Sequence, residues 1–220
     1  MKNARGFIGS RRRTFAAVFL VALTASCACE RSDRLDPRSG SLTDTTYQNT
    51  FFGFTLQIPA GWSVASSQTE ERMRAIGSRA VAGEDPVLKA AIETSQPIQL
   101  LTLTERPVGA PVAFNSSLIV VAENVSHAPG IRTGADYLFH IETLLERSPI
   151  PYQPLGEVGE MDLDGHSFSR RDFLISSQPG IRQSYFVARE GEFVLAFIVT
   201  AQDEATVNSL SEVLAKIDFH

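Results

Sequence analysis

Gly165-His166-Ser167-Phe168-Ser169 has the outline of an esterase nucleophile elbow, Gly-x-Ser-x-Gly. That elbow needs a strand, a sharp turn and then a helix, with small residues on both sides of the serine. Here Ser169 stands where the last glycine belongs, and the residues that follow read as a strand, so a turn explains Asp164-Gly165 better. The four histidines, His127, His140, His166 and His220, never fall at a metal-ligand spacing such as His-x₃-His. His140-Ile141-Glu142 has the His-x-Glu of zinc deaminases without their cysteine pair. Asp162 and Asp164 frame the turn, and no ligand-rich loop for calcium surrounds them. No metal set and no cofactor is implied. Arg170, Arg171 and Arg182 lie on strands expected to pair, where guanidinium groups could gather into an anion site for a carboxylate or phosphate. The alternative is cross-strand pairing with Asp172 and nearby glutamates. Trp62, next to Gly61, is either a ligand-stacking ring or a plug at a strand end.

The two cysteines, Cys27 and Cys29, offer a different chemistry. Lys2, Arg5 and Arg11-Arg12-Arg13 precede an apolar run from Phe15 to Leu23, and small residues lead into Cys27-Ala28-Cys29. This is the layout of a bacterial export signal. The run is shorter than the ~20 residues that span a bilayer. Thr24-Ala25-Ser26 before Cys27 fits diacylation of that thiol, with Cys29 as the alternative. Plain cleavage near Ala28 is the other reading. Arg12-Arg13-Thr14-Phe15 partly matches a twin-arginine signal, although Arg11 stands where Ser or Thr is usual.

From Glu30 onward there is no cysteine, so the rest of the chain has neither disulfide nor thiolate chemistry. It must hold by packing, which a domain of ~150 residues does by burying roughly 70% of its surface. The leader carries five of the 20 basic residues and none of the 25 acidic ones, so the remainder has a net charge of −10. Such a surface does not favour nucleic acid or anionic lipid.

What positions these residues follows from pattern. Residues 1–29 are the leader, and 30–46, charged and Ser-rich, read as a flexible tether. Residues 47–220 read as one domain. Phe54, Leu56 and Ile58 alternate as in a half-buried strand. Ser67-Gln68-Thr69-Glu70 reads as a capping box, and Asp85-Pro86 starts a second helix. Strands are expected over 98–105 and 118–123, then a helix capped by Thr133 and Asp136 with Tyr137, Leu138, Ile141, Leu144 and Leu145 on one face. Strands at 158–163, 166–175 and 181–189 follow, with Asp164-Gly165 as a hairpin turn and Glu190-Gly191 as another. Residues 193–199 are apolar at every position and must be covered on both faces. A helix from Asp203, with Val207, Leu210, Leu214 and Ile217 on one side, ends the chain. The expected class is α+β, an antiparallel β-sheet flanked by helices on both faces.

Phe52-Gly53-Phe54-Thr55-Leu56-Gln57-Ile58-Pro59-Ala60-Gly61-Trp62 resembles the opening strand and turn of PsbP-like proteins. Gly134-Ala135-Asp136-Tyr137-Leu138, Arg182-Gln183-Ser184-Tyr185-Phe186 and the closing strand and helix extend the resemblance over about residues 47–219. It is strongest to bacterial envelope proteins of this α-β-α sandwich class. The resemblance implies that fold and says little about activity, although family members with known roles are accessory binding proteins. Metal and docking residues of the photosystem II subunit in that family have no match here. The expectation is an exported envelope protein, anchored to the membrane only through lipid at Cys27 and binding a protein partner. A carrier of a small anionic ligand between sheet and helices, and a serine hydrolase built on Ser167, are the alternatives.

Overall fold

The computed structural model describes residues 36–176 and 180–220. The leader, with Cys27 and Cys29, lies outside the described residues, as do Ser177-Gln178-Pro179 between the strands expected at 166–175 and 181–189. In chain order the elements are β1 (Gly40–Leu42), β2 (Thr46–Asn49), β3 (Phe54–Gln57), β4 (Ser63–Val64), α1 (Ser67–Ala82), α2 (Pro86–Ser95), β5 (Ile98–Thr104) and β6 (Ser117–Asn124). Then come α3 (Gly134–Leu145), β7 (Tyr152–Leu163), β8 (His166–Ile175), β9 (Arg182–Glu190), β10 (Phe193–Ala201), α4 (Glu204–Leu214) and β11 (Asp218–Phe219).

The main sheet runs β4-β5-β6-β10-β9-β8-β7, with every neighbour antiparallel. Strand β10 lies between β6 and β9, and its side chains alternate between two cores. Leu195, Phe197, Val199 and Ala201 enter a large core with the second sheet, β1-β2-β3-β11, and with Val207, Leu210 and Leu214 of α4. Val194 and Ala196 enter a smaller core with Val187 and with Tyr137 and Leu138 of α3. Helices therefore cover both faces, the α-β-α arrangement expected from an unbroken apolar strand. Phe54 and Phe168 both approach Phe197, each with ring centroids 5.7 Å away. A fully buried phenylalanine stabilises by about 1.5–3 kcal/mol, so a few such rings replace the crosslinks that the domain lacks.

The local signals act largely as their chemistry requires. Thr133 and Asp136 form a reciprocal cap: the Asp136 amide donates to Thr133 Oγ1 at 3.2 Å and the Thr133 amide to Asp136 Oδ2 at 2.9 Å. Asp85 accepts from the amides of Val87 and Leu88 at the start of α2. Asp164 and Gly165 take φ of 52° and 85°, the left-handed pair of a two-residue hairpin. The next hairpin turns at Gly191-Glu192, one residue later than expected.

Four further assignments differ from the sequence reading; in the first, α4 stops at Leu214, which leaves Ile217 outside the helix and Asp218–Phe219 paired with β3 as β11. Helix α1 is capped by Ser66, whose Oγ accepts from the Thr69 amide at 3.4 Å, so Ser67 is the first helical residue and no Ser67–Glu70 box forms. Strand β7 begins at Tyr152 rather than near 158, with a register shift between Leu155 and Gly159. Its Pro154, Gly156 and Gly159 hide it from pattern reading, yet an edge strand tolerates them. Finally, β1 lies inside the stretch assigned to a flexible tether. It pairs with β2, the ring of Tyr47 packs against Gly40, and the buried Asn49 donates to the Pro37 carbonyl at 2.9 Å. Contacts distant in sequence order what composition alone would leave loose.

Helix α3 reaches its place because its first residue has no side chain. A Cβ on Gly134 would fall on the Val187 carbonyl of β9. Gly134→Ala is therefore expected to lower unfolding free energy by about 1–3 kcal/mol, the usual range for overpacking. The urea midpoint measures it, and an unchanged midpoint would contradict the close approach.

Candidate functional site

Between α2, α3 and the sheet the packing is incomplete. Ala91 and Ser95 on α2 and Ala196 on β10 are too short to meet across the gap. Leu88, Ile92, Ile141 and Leu144 close its sides. The result is an apolar cavity of about 250 Å³. A void of 150 Å³ lined by apolar groups holds benzene, so this one accommodates roughly ten heavy atoms.

One carboxylate interrupts the apolar wall. Glu123 stands on β6 in the stripe of Ile119 and Val121, while Leu118, Val120 and Ala122 point into the large core. Tyr137 Oη donates to Glu123 Oε2 at 2.7 Å. Among the described residues no hydrogen bond is donated to Oε1. His140 sits at the same rim and is exposed. Burial raises the Glu123 carboxyl above the ordinary carboxylate range, against the lowering effect of the Tyr137 hydrogen bond and the nearby His140 and His127 rings. Burial and the adjacent carboxylate push the Tyr137 phenol well above its usual range, so it stays a donor.

The arginines expected to gather do not share a site. Arg170 and Arg171 are successive on β8 and point to opposite faces of the sheet. Arg170 Nε donates to Asp172 Oδ1 at 3.0 Å, and its guanidinium lies 5.1 Å from the ring centroid of Phe186. Arg171 is buried, pairs with Glu142 of α3 and donates to the Gly156 carbonyl. Arg182 lies 3.5 Å from Glu204 at the start of α4. None of the three lines the cavity. Pairing along β8, for Arg170, and between sheet and helix, for Arg171 and Arg182, accounts for them in place of the expected cross-strand pairs, and an anion held in the cavity would meet Glu123 instead of a guanidinium.

Ser167 lies on β8 just after the hairpin, with Oγ donating to Glu160 Oε2 at 3.2 Å. Ser169 Oγ donates to the same carboxylate at 2.7 Å. His166 turns away from both: Nδ1 lies 2.8 Å from Glu190 Oε1, and the ring stacks on Phe219 with centroids 4.0 Å apart. A strand, not a helix, follows the serine. Trp62 is half-buried against the large core, beside Leu210 of α4. No helix among the described residues is long and apolar enough to cross a membrane.

No family model and no curated protein matches the chain. Solved structures do. One is the solution structure of cyanobacterial PsbP (CyanoP) from Synechocystis sp. PCC 6803, at 16% identity and a TM-score of 0.49, covering 83% of this chain and 99% of that one. Another is the crystal structure of LpqN, involved in cell envelope biogenesis of Mycobacterium tuberculosis, at 14% identity and a TM-score of 0.40, covering 83% and 84%. The first bears the name of the family that residues 52–62 resemble.

Glu123 and the hydroxyl of Tyr137 escaped the sequence reading, which placed the former at a strand end and the latter on an apolar helix face. One signal was present. On a strand apolar toward both layers, a carboxylate continuing the Ile119–Val121 stripe is out of place unless something requires it.

Because its folded carboxyl is raised, Glu123 destabilises the fold where it is ionised, and stability should rise as pH falls through that raised value. Glu123→Gln removes this dependence while keeping an acceptor for Tyr137. Thermal melts of both forms are expected to show the variant melting higher at pH 8, with the difference shrinking toward acid. A difference that grows toward acid would contradict the assignment.

Proposed function

We propose that the chain is an exported, non-enzymatic accessory protein of the cell envelope that holds an apolar small molecule between its sheet and helices. The cavity of about 250 Å³ carries this reading. Apolar side chains that line an open cavity stay in contact with water, and an occupant that covers them gains roughly 25 cal/mol per Å² of apolar surface removed from it. A carrier is the reading that turns this deficit into a use. The ligand is apolar rather than anionic, since the cavity wall holds Glu123 and no arginine. The basic leader with its short apolar run supports export. Support for a binding role over hydrolysis comes from Ser167, whose hydroxyl meets a carboxylate instead of an imidazole. A protein partner in the envelope is the second reading, favoured by Phe139, whose ring is 71% exposed on the helix that covers the cavity.

Naphthalene, with ten carbons, tests the cavity directly. It is expected to bind the protein with micromolar to millimolar affinity by titration calorimetry, well within the ceiling of about −1.5 kcal/mol per heavy atom. Ala91→Phe, which fills the space, should abolish binding. Equal binding by both forms would place the probe elsewhere and remove the support.

The anchor is tested independently. Intact mass of protein extracted from membranes is expected to begin at Cys27 with acyl chains attached, or at Cys29 if the alternative holds. A mass that retains Met1, or an unmodified amino terminus released to the soluble fraction, would contradict the lipid anchor.

A further inference from the structure

The proposed carrier role leaves the ligand's polar end undefined, and the cavity wall constrains it. Glu123 is half-buried at the edge of an apolar space, where its carboxylate loses part of its hydration and a donor or cation would restore what is lost. Glu123 has one donor, Tyr137, on one oxygen. No lysine or arginine lines the cavity, and its other polar side chains are Ser95, His140 and Tyr185. The Tyr185 hydroxyl already donates to Gln183 Oε1 at 2.9 Å. A structural role alone would be met by glutamine, which accepts from Tyr137 without a charge, or by an aliphatic residue extending the Ile119–Val121 stripe.

We infer that the cavity binds an amine: an aliphatic or aromatic group of about ten heavy atoms whose protonated nitrogen pairs with the free oxygen of Glu123. This rests on the reading of the cavity as a ligand site. The Tyr137 hydrogen bond restrains one carboxylate oxygen and leaves the other without a protein donor among the described residues, so part of the ordering cost is met before binding. An ammonium there makes a charge-assisted hydrogen bond, about twice the strength of a neutral one. A ligand carboxylate would face like charge across a poorly screened space and is rejected by the same group.

Three probes of one chain length separate the possibilities: 1-octanol, octylamine and octanoate, titrated into the intact protein at pH 8, where an alkyl amine is protonated. Octylammonium is expected to bind about tenfold tighter than octanol, with octanoate weakest. In Glu123→Gln the ratio of ammonium to alcohol affinity should collapse toward one. The wild-type series stands by itself if that variant does not fold. Octanoate binding as well as octylammonium, or an alcohol equal to the amine, overturns the amine assignment while naphthalene binding leaves the cavity intact. Failure of all three probes and of naphthalene overturns the carrier reading beneath it.

Discussion

Strand β10 has no polar face, and the domain is organised by that constraint. A run apolar at every position cannot sit at a wetted surface, so residues 193–199 have to be flanked by β6 and β9 and roofed above and below. Chain order then decides which elements do the roofing. Helix α4 follows β10 directly and folds back onto one face with Val207, Leu210 and Leu214. The small sheet, completed by β11 after α4, closes that side. The opposite face is left to α2 and α3.

The two faces are packed by different means. On the α4 side aromatic rings interlock: Phe54, Phe168, Phe186 and Phe197 are all fully buried, and Phe51, Phe52 and Phe193 meet edge to face. On the α3 side the buried cluster is smaller, aliphatic or small residues around Tyr137 with Tyr185 packed against it, and helices α2 and α3 span only 10 and 12 residues. Overall stability is a small difference between large terms. A well-filled core on one face therefore permits a void on the other. In a domain without disulfides the aromatic core is what makes an unfilled site tolerable.

Legibility in the sequence follows the range of the interaction. Strands β3, β5, β6, β8, β9 and β10, the Thr133–Asp136 cap and the Asp164-Gly165 turn are set by neighbours within a few residues, and their patterns say so. What depends on distant partners was silent. Strand β1 is held by Tyr47 and by the reach of Asn49 to Pro37, so its polar composition gave no sign of order. The separation of Arg170 from Arg171 follows from strand alternation, and Asp172 lies two residues from Arg170, but Glu142 emerges as the partner of Arg171 only when β8 meets α3. The cavity is the extreme case, since it arises from short side chains that fail to meet. Nothing in Ala91 or Ala196 alone marks a gap.

The polar wall of the cavity depends on how α3 is seated. Gly134 lets the helix start press against β9, and the buried Arg171–Glu142 pair ties its later turn to β8. Removing one partner of a buried pair typically costs several kcal/mol, because the other charge is left unpaired. With both ends fixed, the helix places the Tyr137 hydroxyl 2.7 Å from Glu123. The orientation of the one carboxylate in the cavity is therefore set by contacts of α3 with β8 and β9, made by residues that do not line the ligand space. Arginines that chemistry alone would assign to ligand binding serve instead to position the element that carries the binding group.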